Sequence, residues 1–196
     1  YGEWLKKDLL PRSDRSFRLG SSLFFKKLQL TLESDIPAEQ VVQRAKDELV
    51  KVQAEMAMLA RGNSNSEADD RLSDREITRK FLDKIADERP DNTTIVAKAR
   101  ESLERATAFV REKRIVTLPD QPCKVIEMPE FARGVAVAYC DSPGPLEKKG
   151  ETFYAIAPTP SDWSTKRVES FYREYNLAML DNLTVHEAMP GHYVQA

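Results

Sequence analysis

Residues Ala38–Gly62 read AEQVVQRAKDELVKVQAEMAMLARG. Val41, Ala45, Leu49, Val52, Met56 and Leu59 recur at steps of 4, 4, 3, 4 and 3, which holds them on one face of an α-helix and leaves charge on the others. The stretch predicts a helix opened by Asp35, as a cap oxygen, and Pro37, as a preset first-turn φ, and closed by Gly62. Upstream, Leu23, Phe24 and Leu28 predict a shorter helix from Ser21 to Leu32 with these side chains inward. Downstream, a polar linker from Asn63 to Asp70 leads to Ser73 and Glu76, a capping box for a helix whose Ile77, Phe81, Leu82 and Ile85 form the stripe and which ends before Pro90. A third helix runs from about Thr94 to Arg114 through Ile95, Ala99, Leu103, Ala106 and Phe109/Val110. Residues 1–114 are therefore expected to form an antiparallel helical bundle joined by short loops.

Beyond residue 114 the pattern changes. Cys123 to Met128, Gly134 to Cys140 and Thr152 to Ala157 are short β-branched or aromatic runs, punctuated by Pro129, Pro143-Gly144-Pro145 and Pro158-Thr159-Pro160, and predict a small antiparallel sheet. After Ser161 a long helix is expected, with Val168, Phe171, Tyr172, Tyr175, Ala178, Met179, Asn182 and Val185 on one broad face. The fold class is thus mainly α: a helical bundle over 1–114, then a small sheet and a long motif-bearing helix over 115–196, both parts of one larger catalytic domain. Composition agrees, since 32% of the 196 residues are charged and Gly occurs only 7 times, a balance that favours solvated helices over a turn-rich sheet. A net charge of −2 with both signs interleaved argues against a nucleic-acid partner, which needs a basic excess. No run approaches the ~18 apolar residues of a membrane span. The start at Tyr1 shows neither an initiator Met nor a signal peptide, so the compartment, periplasmic or secreted on one side and cytoplasmic on the other, stays open. Cys123 and Cys140 lack metal-type spacing and read as buried thiols, with a disulfide as the alternative in a secreted protein.

Both histidines of the chain, His186 and His192, lie at the far end, with Glu187 beside the first. In the HExxH motif of zinc peptidases, one helical turn puts two imidazoles on one face for the metal, and the Glu after the first His acts as general base. Here the residue types match but the spacing does not. At about 100° per residue an i, i+4 pair lies ~40° apart, whereas i, i+6 lies ~120° apart and cannot chelate one ion on an unbroken helix. Pro190 cannot donate to the carbonyl of His186, and Gly191 admits backbone angles that other residues resist. A widened turn at Pro190-Gly191 is expected to return His192 to the side of His186, with the helix resuming through Tyr193, Val194 and Gln195.

The run His186-Glu-Ala-Met-Pro-Gly-His192-Tyr-Val-Gln195 resembles the HEAxPGHxxQ signature of the bacterial family catalogued as domain of unknown function 885, related to the zinc-metallopeptidase superfamily of HExxH enzymes. Phe171-Tyr-Arg-Glu-Tyr-Asn176, Gly150-Glu-Thr-Phe-Tyr-Ala-Ile-Ala-Pro158 and Arg18-Leu-Gly20 extend the likeness over most of the chain. The resemblance implies a mainly helical protein with a small sheet, His186 and His192 as zinc ligands, Glu187 as the base, and a peptide or oligopeptide substrate. It also implies a third, acidic ligand in a later Glu-Gly-Trp segment. That segment is absent from these residues, so the chain is expected to be a piece of a longer protein. By analogy with the superfamily, the strand Thr152 to Ala157 is expected to align an extended peptide along its edge. Asn176 and Gln195 are candidates to orient the site from behind its ligands, and Tyr154 to stabilise an oxyanion. The competing class is a non-catalytic helical interaction module or an inactive relative. In that reading Pro190-Gly191 is ordinary helix termination, the Tyr172/Tyr175 stripe is core packing, and Arg111-Glu-Lys-Arg114 is a wetted helix face.

Overall fold

The structure, a computed structural model, describes residues 1–195 apart from Arg15, Asn65, Val135, Pro145, Lys148 and Lys149. The expectations that fall on Asn65 in the linker, Val135 in the second strand run, Pro145 in the turn and Ala196 at the end lie outside the described residues. The chain gathers into two units, Tyr1–Gly62 and Asn63–Ala196.

In the first unit, α1 (Gly2–Trp4) runs on through a π turn and a 3-10 turn to Arg12, followed by α2 (Ser21–Leu32) and α3 (Ala38–Gly62). Gly20 enters α2 at φ 76°, in the left-handed half of the map that Gly occupies without steric cost. The Pro37 carbonyl accepts the N–H of Val41 at the start of α3. Asp35, expected to cap that helix, instead accepts the side-chain amide of Gln29. The apolar stripe of α3 is helical as expected but not buried: Leu49 is 56% and Leu59 61% exposed. Leu23 and Phe24 of α2, expected inward, are also exposed. The physical reason is size, because a 62-residue unit built on two main helices offers too little neighbouring surface to cover both apolar faces.

The second unit holds α4 (Asp74–Asp87), α5 (Ile95–Lys113), β1 (Lys124–Glu127), β2 (Ala138–Asp141), β3 (Phe153–Ile156), α6 (Thr165–Glu174), α7 (Leu177–Glu187) and α8 (His192–Gln195). The capping box is as read: Ser73 Oγ accepts the N–H of Glu76, and the Glu76 carboxylate accepts the N–H of Ser73. The same bonds to Ser73 hold the Glu76 carboxyl below its usual range. α5 and α7 pack against each other, α5 also lies on β1, and α4 packs on α6. Within this unit α4 and α5 find their main partners in the C-terminal helices and in β1.

The sheet is mixed and not purely antiparallel. Its order is β1-β3-β2, with β1 parallel and β2 antiparallel to β3. β3 is thus the central strand and offers no open edge. Its side chains alternate between two layers. Tyr154 and Ile156 face a core of Ile95, Ala99, Leu103, Tyr172 and Leu180, while Ala155 and Ala157 meet Met128 and Tyr139 on the other side. The long helix expected after Ser161 is two helices, since Tyr175 leaves the helical region and Asn176 starts α7 anew. Surface ties reinforce the packing: Arg173 pairs with Asp83 and Asp87, and Asp181 accepts from Ser102 and Arg105. Among the described residues, no helix is long and apolar enough to cross a membrane.

Candidate metal centre

The site is built at the end of α7. The helix stops at Glu187, the N–H groups of Ala188 and Met189 both turn back to the Thr184 carbonyl, and Met189–Pro190 is a cis peptide. The backbone then folds so tightly that a Cβ on Gly191 would sit 1.8 Å from the carbonyl oxygen of His186 and 2.4 Å from that of Val185. Gly191 is not among the positive-φ residues, so glycine is required here for space and not for the backbone angle expected from sequence. α8 starts at once, with the N–H of Val194 on the Gly191 carbonyl.

This corner brings His192 back to His186. Their ring centroids are 4.8 Å apart and nearly perpendicular. The donor atoms of His186, Glu187 and His192 all lie within 4.8 Å of one another, with both histidines exposed. Imidazole nitrogens bind Zn²⁺ at about 2.0–2.1 Å, so two of them on one tetrahedral ion stand a little over 3 Å apart. Ring rotations on exposed side chains cover that difference, and neutral imidazoles with an acidic neighbour are a donor set that suits zinc. Imidazole Nδ1 of His192 faces Gln195 Oε1 at 3.2 Å. In the tautomer that donates from Nδ1, Nε2 keeps its lone pair available for a metal, which is the kind of contact expected of Gln195.

The other two candidates lie elsewhere. Asn176 sits at the opposite end of α7, about 15 Å away by helical rise, where Oδ1 accepts the N–H of Met179 at 3.1 Å and Nδ2 donates to the Arg173 carbonyl. It is the N-cap of the motif helix, so Asn176→Ala should cost about 1 kcal/mol of stability and leave metal affinity unchanged, as read by chemical denaturation and chelator competition. Tyr154 is fully buried beneath α7. Thr184 spends its proton on the Leu180 carbonyl, so Tyr154 donates to Thr184 Oγ1 at 3.3 Å. Burial, with the Thr184 bond opposing and the nearby Glu187 charge adding, pushes its hydroxyl up to about 12. It fixes α7 to the central strand.

Sequence reasoning missed two groups. The Glu187 carboxylate accepts the main-chain N–H of Cys140 at 3.2 Å, a contact with no sequence signal because an amide belongs to every residue. Tyr193, buried next to His192, donates its hydroxyl to the Gln121 carbonyl; a large aromatic inside the motif is the cue that was available. The cysteines remain free thiols. Cys140 lies on β2 and Cys123 immediately precedes β1, and burial, then the neighbouring Cys140, pushes Cys123 up to about 11.

Residues 1–196 match the family described as "Bacterial protein of unknown function (DUF885)". A solved structure described as "The structure of a putative lipoprotein of unknown function from Shewanella oneidensis" is similar at 32% identity and a TM-score of 0.72, over 98% of this chain and 34% of that one. The chain therefore spans about a third of that protein's length. No curated protein matches.

Proposed function

We propose that this chain, which belongs to the DUF885 family over residues 1–196, carries the core of a zinc-dependent hydrolase of peptide bonds. The observation behind the reading is the corner at Met189–Gly191, which undoes a six-residue offset and sets two imidazoles and a carboxylate within 4.8 Å of one another. A turn of ordinary helix termination has no need to do so. His186 and His192 would hold the ion. Zinc, when bound, supplies a Lewis acid that acidifies water and polarises a carbonyl. Glu187, on the last turn of α7, takes the proton of the attacking water and returns it to the leaving amine. Catalytic zinc sites commonly use three protein ligands, so the reading places a further carboxylate ligand in polypeptide outside these residues. Because β3 is covered on both sides, the strand that would align an extended peptide is β2, whose outer edge lies against Glu187. The lipoprotein description of the longer relative is compatible with a secreted or periplasmic location.

The test is metal content. The complete protein, purified without added metal, should carry close to one zinc per chain, and His186→Ala or His192→Ala should lower that occupancy. A protein free of metal after loading with zinc would retire the hydrolase in favour of a non-catalytic helical interaction module.

A further inference from the structure

In an antiparallel pair, residues alternate between those whose N–H and C=O both face the partner and those whose groups both face away. The register pairs Ala138 with Ile156, Tyr139 with Ala155, Cys140 with Tyr154 and Asp141 with Phe153. The Ala157 N–H reaches the Val137 carbonyl, which assigns 137, 139 and 141 to the inward class. Ala138 and Cys140 therefore turn their main-chain groups away from β3, toward the side of β2 on which, among the described residues, no further strand lies. On that side the Cys140 N–H is held by Glu187.

We infer that the Cys140 amide is a positioning group for Glu187, and that the carboxylate in turn caps the edge of β2, so that an extended polypeptide pairing with this edge must displace it. The inference rests on the hydrolase reading for its meaning but not for its test. An open strand edge is a template for any extended chain, and here the row of outward groups is interrupted at Cys140, whose N–H is taken by the carboxylate that stands with the two imidazoles. A charge-assisted bond to a carboxylate is among the stronger single hydrogen bonds, so the cap orders Glu187 while the edge is empty. A backbone carbonyl arriving opposite Cys140 takes over the same N–H. The carboxylate is then released next to the incoming peptide bond, which ties the freedom of the base to occupancy of the edge.

The experiment uses the chain stripped of metal by a chelator, so zinc and turnover play no part. Amide hydrogen exchange is followed at residue 140 in the unsubstituted chain and in Glu187→Ala, Glu187→Gln and Cys140→Ala. Loss of the acceptor in Glu187→Ala should speed exchange at Cys140 by about tenfold or more. Glu187→Gln keeps an acceptor oxygen and Cys140→Ala keeps the amide, so both should stay slow. Tyr139 and Asp141, which face β3, should not change in any variant. An unaltered rate at Cys140 in Glu187→Ala would overturn the tether.

The second arm titrates an N-acetylated, C-amidated hexapeptide of alternating Ala and Thr, read by shifts of the β2 amides. Binding should be several-fold tighter to Glu187→Ala than to the unsubstituted chain, because the competitor is gone. Equal or weaker binding to Glu187→Ala, or no binding to either, would overturn the cap. Absence of zinc from the complete protein would sink the hydrolase reading and leave these rates as they are.

Discussion

Gly191→Ala is expected to lower zinc affinity by at least about a hundredfold, more than the 10- to 100-fold typical of losing a supporting contact around a metal ligand. The added methyl meets the His186 carbonyl oxygen at 1.8 Å, the His186 carbonyl carbon at 2.4 Å and the Val185 carbonyl oxygen at 2.4 Å. All three are main-chain atoms of the last turn of α7, with no flexible side chain to swing aside. The corner must open, and opening it carries His192 away from His186. Competition with a chromophoric chelator reads the loss. Gly62→Ala is the control, since nothing lies within 4 Å of the Cβ it would add, and both variants should keep the helical circular dichroism of the unsubstituted protein. Zinc affinity unchanged in Gly191→Ala would show that the corner does not position the ligands.

Glu187→Gln should cut peptide hydrolysis by the complete protein about 10²- to 10⁴-fold, the span of a positioned general base, with zinc content unchanged. Glutamine is nearly isosteric, so His186 and His192 stay in place, and its carbonyl oxygen still accepts from the Cys140 amide. What it lacks is the capacity to take a proton. The assay is cleavage of a quenched fluorescent peptide library by zinc-loaded protein, with zinc measured on the same samples. Activity within a few-fold of the unsubstituted protein would remove Glu187 from the proposed role of base, whatever the metal does. The pairing with Glu187→Ala is informative, because only the alanine variant also frees the strand edge.

Where structure follows from neighbours in sequence, the residues were readable. Ser73 and Glu76 close a capping box three positions apart, Ser21–Leu32 and Ala38–Gly62 show their periodicity, Gly62 marks the end of the second, and Pro190-Gly191 marks the turn that allows His192 to return to His186. Where structure depends on distant partners, they were not. The parallel pairing of β1 with β3 and the central place of β3 are set by contacts across the crossover, and alternation alone carries no strand order. Asn176 is an instructive case. It is a favoured N-cap residue, but the apolar face that runs through Phe171, Tyr172, Met179 and Val185 masks the interruption. The stripe of α3 shows the converse, since Leu49 and Leu59 mark an apolar face without saying what covers it.

The corner that carries the two imidazoles is itself part of the core: Ala188 is 0%, Met189 4% and Tyr193 5% exposed. Burial of these three residues belongs to the folding of the second unit and needs no ion to drive it. In a zinc finger the order is reversed, because metal binding supplies the folding free energy and a chelator unfolds the domain. In this chain the conformational entropy of bringing His192 beside His186 is already lost when the core forms. On the zinc reading, folding and metal loading are separate equilibria coupled only through mass action, so chelation should lower the unfolding temperature by removing the RT ln(1 + [Zn²⁺]/Kd) that the ion contributed, and leave a folded protein behind.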